Sequence, residues 1–401
     1  MKFQISDIED IVLKYELELR KLAIDIHDNP ELGRQEFKAC KWQTELLEKY
    51  GFEVERGYCG IETAYHAVHK GKLDGPKIAM LAEYDALPEL GHGCGHNLIA
   101  MISVGSGLTI KDIVDEYGGE IHVIGTPAEE TEGAKVAMSR KGIFNDIDVA
   151  MMAHPSPING SSINTAAIRA RKVEFFGKAA HAAAAPYEGC NALDAVINFF
   201  NLLNALRQQL KSDIRVHGII DNGGVAPNII PDYTSSKFYV RANKMSTVDE
   251  TLKKVIKCAE GAAIATETTY RISNIEEDFK DTNTNMTLCE LACQQYEKLG
   301  HEIRRFGRVT VAGSSDLGDV SYECPAIQLM CGMGIDDGEE FYGPHTVQFE
   351  KHSGSNEAIN NGLEFVKAFA MTAQELLACP EHLEKIREEF MHVNDLEENL
   401  F

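Results

Sequence analysis

The chain has 401 residues, 44% of them hydrophobic and 25% charged, with a formal net charge of −23 at pH 7. That length exceeds what one core comfortably serves and predicts two domains. The acidic balance speaks against nucleic acid or an anionic membrane surface as partner, since both need a basic footprint. Asp7, Glu9 and Asp10 stand where a signal peptide would be apolar. No apolar run approaches the roughly 20 residues of a membrane-spanning helix. The ten cysteines are scattered without the spacing of a disulfide framework. A cytoplasmic location with reduced cysteines is expected.

In chain order, Ile8, Ile11, Val12, Tyr15, Leu19, Leu22 and Ile26 recur at helical spacing and predict a helix over 6–28, stopped by Asn29-Pro30. A second helix is expected over 35–50. Strands follow at 52–54, 63–68 and 77–82, the last an apolar run that delivers Glu83, Tyr84 and Asp85 to its end. A helix at 97–115 precedes strands at 119–125 and 146–153, whose ends carry Glu129-Glu130 and His154. Polar residues gathered at strand C-termini indicate an α/β sheet with its site along that edge.

From about residue 166 the pattern changes. Strands at 167–176, 218–220, 234–242 and 268–273 alternate with helices at 190–212 and 246–264. Strand–helix–strand–strand–helix–strand is the ferredoxin-like order. The expected division is 1–165 for the first part of a catalytic domain, 166–282 for an inserted lid or dimerisation module, and 283–401 for the remainder. A helix at 283–300, a strand near 326–330, a helix at 353–377 and an acidic helical tail complete the reading.

The chemistry centres on His92-Gly93-Cys94-Gly95-His96-Asn97. A thiolate and an imidazole two residues apart, among glycines that permit a tight turn, suit a bound ion. With Glu130, His154 and His345 they make more donors than one zinc needs and about enough for two divalent ions. Adjacent strand residues face opposite ways, so of Glu129 and Glu130 one can bind metal while the other moves a proton. Spacing alone does not choose His345 over His352. Asp85 can orient a ligand histidine or merely cap a turn. His181, in a loop of small residues, can reach a substrate or stay solvated.

These segments together resemble the co-catalytic metallopeptidase and amidohydrolase family of carboxypeptidase G, hippuricase, auxin-conjugate hydrolases and aminobenzoyl-glutamate hydrolase. The motifs Ile26-His27-Asp28-Asn29-Pro30-Glu31-Leu32-Gly33, 81–88, 92–97, 127–130, His154-Pro155 and 177–186 occur in family order. The stretch 313–321 is similar to the aminobenzoyl-glutamate hydrolase branch. The resemblance implies a di-metal exopeptidase-like α/β sheet with helices on both faces and an inserted ferredoxin-like lid. It implies Cys94, His96, Glu130, His154 and His345 as ligands of two ions in each protomer, zinc or manganese, with cobalt an alternative. Glu129 would be the general base and Asp85 the orienting carboxylate. His181 would stabilise the oxyanion, in dimeric members that of the partner protomer. Asn228, Arg241, Gly313 and Ser314 would contact the substrate. Asn97 and Glu83 depart from the family's usual aspartates. The expected activity is amide hydrolysis of N-acyl amino acids, aminobenzoyl-glutamate-like conjugates or dipeptides by a homodimer. A dipeptidase that requires a free amine and a non-catalytic metal-binding scaffold are the alternatives.

Overall fold

The computed structural model describes residues 2–334 and 342–398. In chain order its strands are β1 (Glu53–Arg56), β2 (Tyr65–Lys70), β3 (Lys77–Ala82), β4 (Glu120–Gly125), β5 (Val149–Ser156), β6 (Asn164–Thr165), β7 (Ala167–Phe176), β8 (Arg215–Asn222), β9 (Tyr233–Ala242), β10 (Thr269–Asn274), β11 (Thr310–Val311) and β12 (Ala326–Gly332). By residue contacts the chain forms two compact units, 1–164 with 282–309 and 319–401, and 165–281 with 310–318. The stretch 310–318 falls in the second unit, whereas the sequence reading left it in the first. Hydrogen bonds from Ala166 N–H to Gly313 O at 2.8 Å and from Ser314 Oγ to Ala166 O at 2.7 Å tie it there.

The first unit is built on a mixed sheet of order β1-β2-β4-β3-β5-β12. The run β4-β3-β5-β12 is parallel, and its strands carry the continuous apolar stretches of a sheet covered on both faces. The helix Ile5–His27 buries Ile8, Val12, Tyr15, Leu19, Leu22 and Ile26, one stripe at 3.6-residue spacing.

The helix His96–Tyr117 is buried over nearly its whole length. By length and composition it is apolar enough to cross a membrane, which corrects the expectation that no such run exists. In the fold 89% of its apolar window lies inside the protein, and all-round burial accounts for its composition. The helix expected over 353–377 runs as Asn356–Ala378, and a short separate helix, Val347–Ser353, precedes it. The Ser355 side chain accepts the Ala358 N–H and starts the longer one afresh.

In the second unit β7, β8, β9 and β10 form an antiparallel sheet of order β10-β7-β9-β8. Helices Ala192–Arg207 and Met245–Ala265 complete the ferredoxin-like arrangement. Its own core includes Val173, Phe175, Phe199, Phe238, Val240 and Val255.

Candidate metal centre

Strand β3 ends at Ala82, so Glu83, Tyr84 and Asp85 leave the sheet fully buried. The Asp85 carboxylate is shared. Its Oδ1 lies 2.9 Å from His96 Nδ1, and its Oδ2 accepts the Glu130 N–H at 3.0 Å. His96 opens its helix after Gly95, whose φ of +73° is a left-handed conformation that glycine adopts freely. A side chain at Gly95 would also collide with Pro155, whose Cγ would lie 2.7 Å from its Cβ.

That turn brings the donors together. Atoms of Cys94, His96 and His154 lie within 4.8 Å of one another, as do those of Cys94, Glu130 and His345, and those of His96, Glu129 and Glu130. Cys94 Sγ is 2.9 Å from His345 Nε2, which is 3.4 Å from Glu130 Oε1. His345 is the histidine that joins the cluster. His352 instead lies 2.7 Å from the Tyr342 hydroxyl. The backbone of His345 is left-handed, at φ +67°, and its N–H donates to Gly93 O at 2.9 Å.

Two details differ from the sequence reading. His154 lies inside β5, which runs on to Ser156. Glu129 and Glu130 lie in a turn beyond β4, so strand alternation does not separate them.

The electrostatics suit a cation. His96 Nε2 and Glu83 Oε2 are buried without hydrogen-bond partners, a costly state for atoms with nothing to bind. Burial pushes the Cys94 thiol up, and a cation would offset that by taking the thiolate. Burial opposes charge on His96, yet the Asp85 carboxylate outweighs it and raises the imidazole well above its usual range. Burial also raises Glu130, but the bond from His345 and the charge of His96 bring it down to about 2. One thiol, three imidazoles and two carboxylates, with Cys94 common to two groupings, fit two divalent ions.

Sequence reasoning missed the wall behind this cluster. Lys135 Nζ lies 2.6 Å from Glu83 Oε1 with both side chains buried, and Glu83 Oε2 is 3.4 Å from His96 Nε2. Nothing in the sequence marks Lys135 as buried. The departure at Asn97 has a structural cause: its amide donates to Ser353 O at 2.9 Å and Ala23 O at 3.3 Å, which a carboxylate could not do.

The remaining expected residues lie in the second unit. His181 is exposed, and its Nδ1 accepts the Ala184 N–H at 3.1 Å and the Ala183 N–H at 3.3 Å. By that network the neutral ring carries its proton on Nε2. Asn228 is in the adjoining loop, its carbonyl accepting the Ala182 N–H at 3.0 Å. Arg241 donates to Ser314 Oγ at 3.0 Å and to Ala312 O at 3.3 Å, beside open space at Gly313.

Residues 167–267 match the model of the peptidase dimerisation domain. The chain is 38% identical over 387 residues to the Xaa-Arg dipeptidase of Mus musculus, covering 93% of this chain and 88% of that protein. The chain belongs to the M20 peptidase family. It is also 36% identical over 270 residues to a p-aminobenzoyl-glutamate hydrolase chain of Escherichia coli, covering 62% of this chain and 56% of that one. Two solved structures share the fold. One is an aminobenzoyl-glutamate utilization protein from Klebsiella pneumoniae, with a TM-score of 0.71 and 18% identity over 92% of this chain and 98% of the other. The other is a dinuclear metal binding peptidase of the M20 family from Bacillus subtilis, with a TM-score of 0.68 and 20% identity over 91% of this chain and 99% of the other. As a member of this family the chain is a hydrolase of C–N amide bonds.

Proposed function

We propose that this M20 peptidase hydrolyses the amide bond next to a free carboxylate, in N-acyl amino acids, aminobenzoyl-glutamate-like conjugates or dipeptides. The convergence of Cys94, His96, Glu129, Glu130, His154 and His345 from four separate chain segments carries the reading. Divalent cations bound there would supply Lewis acidity towards the carbonyl and acidify a water. The assigned ligands are Cys94, His96, Glu130, His154 and His345, with zinc favoured by the thiolate and manganese or cobalt as alternatives. Glu129 accepts a proton from the attacking water at its carboxylate and delivers it to the leaving nitrogen. Asp85 holds His96 Nδ1 so that Nε2 turns to the cluster. The His181 Nε2–H donates to the developing oxyanion. Arg241 and Asn228 hold the substrate carboxylate, with Ser314 and Gly313 at their side. The match over 167–267 supports a homodimer through that module, and ten unpaired cysteines suit a reducing, cytoplasmic setting.

The likeness to Xaa-Arg dipeptidases over 93% of the chain favours a second reading, a dipeptidase that requires the substrate's free amine. One experiment separates the two. The metal-free protein is reconstituted with zinc, manganese or cobalt and given dipeptides, their N-acetyl forms and aminobenzoyl-glutamate, with products detected by mass. Cleavage of free dipeptides alone supports the dipeptidase, and cleavage of the acylated forms supports the broader amidohydrolase. No amide cleavage with any metal would overturn both.

A further inference from the structure

Glu36 takes no part in the chemistry above, yet it is fully buried. It precedes the helix Phe37–Lys49, but its side chain does not cap that helix. Instead Glu36 Oε1 accepts the Ala128 N–H at 2.8 Å, while Oε2 is buried with no partner. A buried carboxyl with one unsatisfied oxygen is costly and calls for a compensating role.

The bond falls at an unusual place. Ala128 is a non-glycine residue at φ +61°, a conformation that costs an alanine on the order of 1 kcal/mol and persists only where its surroundings impose it. The turn's other contacts are regular. Ala128 O accepts the Gly133 N–H at 2.7 Å, and Thr126 N–H donates to Ala82 O at 2.7 Å. The chain before Glu36 closes on the same spot. Ala86 N–H donates to Glu31 O at 2.8 Å, and a Cβ on Gly33 would lie 3.0 Å from Ala128 Cβ.

The amides on either side of Glu129 are therefore each held by a buried carboxylate, Ala128 N–H by Glu36 and Glu130 N–H by Asp85. We infer that Glu36 is a positioning residue that locks the left-handed turn at Ala128 and so aims the Glu129 carboxylate. The inference rests on the reading of Glu129 as the base. Without the Glu36 oxygen, Ala128 relaxes to ordinary backbone angles and Glu129 swings out of register, while the ligand set, anchored through Asp85 and the turn at Gly95, stays in place.

The test uses Glu36→Leu, which removes the acceptor, Glu36→Asp, which keeps a carboxyl group but withdraws the oxygen, and Glu36→Gln, which keeps an acceptor of the same reach. Hydrogen exchange of the peptide spanning 127–131, followed by mass spectrometry on the metal-free full-length protein, reads the turn without reference to activity. The expected result for Leu and Asp is faster exchange there by about tenfold or more. On the reconstituted enzyme kcat falls about 10- to 100-fold, with KM and bound metal near wild type. Gln restores all of these values. If Leu does not fold, the Asp and Gln pair decides. Unchanged exchange at 127–131 in the acceptor-less variants, or equal damage from Gln, would overturn the inference. Full turnover by Glu129→Gln would instead end the reading of Glu129 as base and leave the exchange result standing.

Discussion

Asp85 Oδ1 lies 2.9 Å from His96 Nδ1 in a pair without solvent access, and the other oxygen of the same carboxylate holds the Glu130 amide. One buried group thus orients two of the assigned ligands. For Asp85→Ala, bound metal after dialysis against a weak chelator should drop, with affinity reduced about 10- to 100-fold. Elemental analysis would check this, and wild-type metal content would remove Asp85 from the role of orienter.

Glu129→Gln preserves size and one acceptor oxygen but cannot take a proton. Its kcat should fall about 10²- to 10⁴-fold with both ions retained. A single preparation assayed for metal content and for turnover on the best substrate decides the matter, and near-normal kcat would mean that another group is the base.

Lys135 Nζ and Glu83 Oε1 form an ion pair with neither side chain exposed. Lys135→Met leaves the Glu83 carboxylate buried without its cation. Unfolding free energy should fall by about 3–5 kcal/mol. In urea melts of the metal-free protein, Lys135→Met combined with Glu83→Gln should recover part of that loss. A double variant no more stable than Lys135→Met would argue against pairing as the cause.

His122, on β4, stacks on His66 with Nδ1 2.8 Å from His66 Nε2 and is flanked by Glu120 at 3.1 Å. Burial, with the charge of His66 adding to it, pushes the His122 imidazole down to about 4. The unfolded chain binds that proton near pH 6.5, so between 6.5 and 4 it holds more protons than the fold. The contribution is complete above 6.5 and is lost as pH falls through the folded value, up to about 3 kcal/mol. Denaturation midpoints at pH 7, 5.5 and 4.5 should decline less steeply for His122→Asn than for wild type. Parallel declines would show that other groups cause the acid sensitivity.

Most of the secondary structure could be read from the chain by itself, because burial imprints a period of 2 or 3.6 on the positions of apolar side chains. The strand Lys77–Ala82 and the order of the inserted module follow from that imprint. The neighbourhood of Cys94 was legible too, since its glycines reveal a tight turn locally. Other features carry no periodic signal, because they depend on closure between distant segments. The choice of His345 over His352 needed the chain to return to Cys94 from 251 positions away. The anchoring of Ala128 by Glu36, across 92 positions, and the burial of Lys135 against Glu83 are of the same kind. A lone acid or lysine in a sequence reads as surface, and only the packed structure determines which such groups are taken out of water and what they are made to hold.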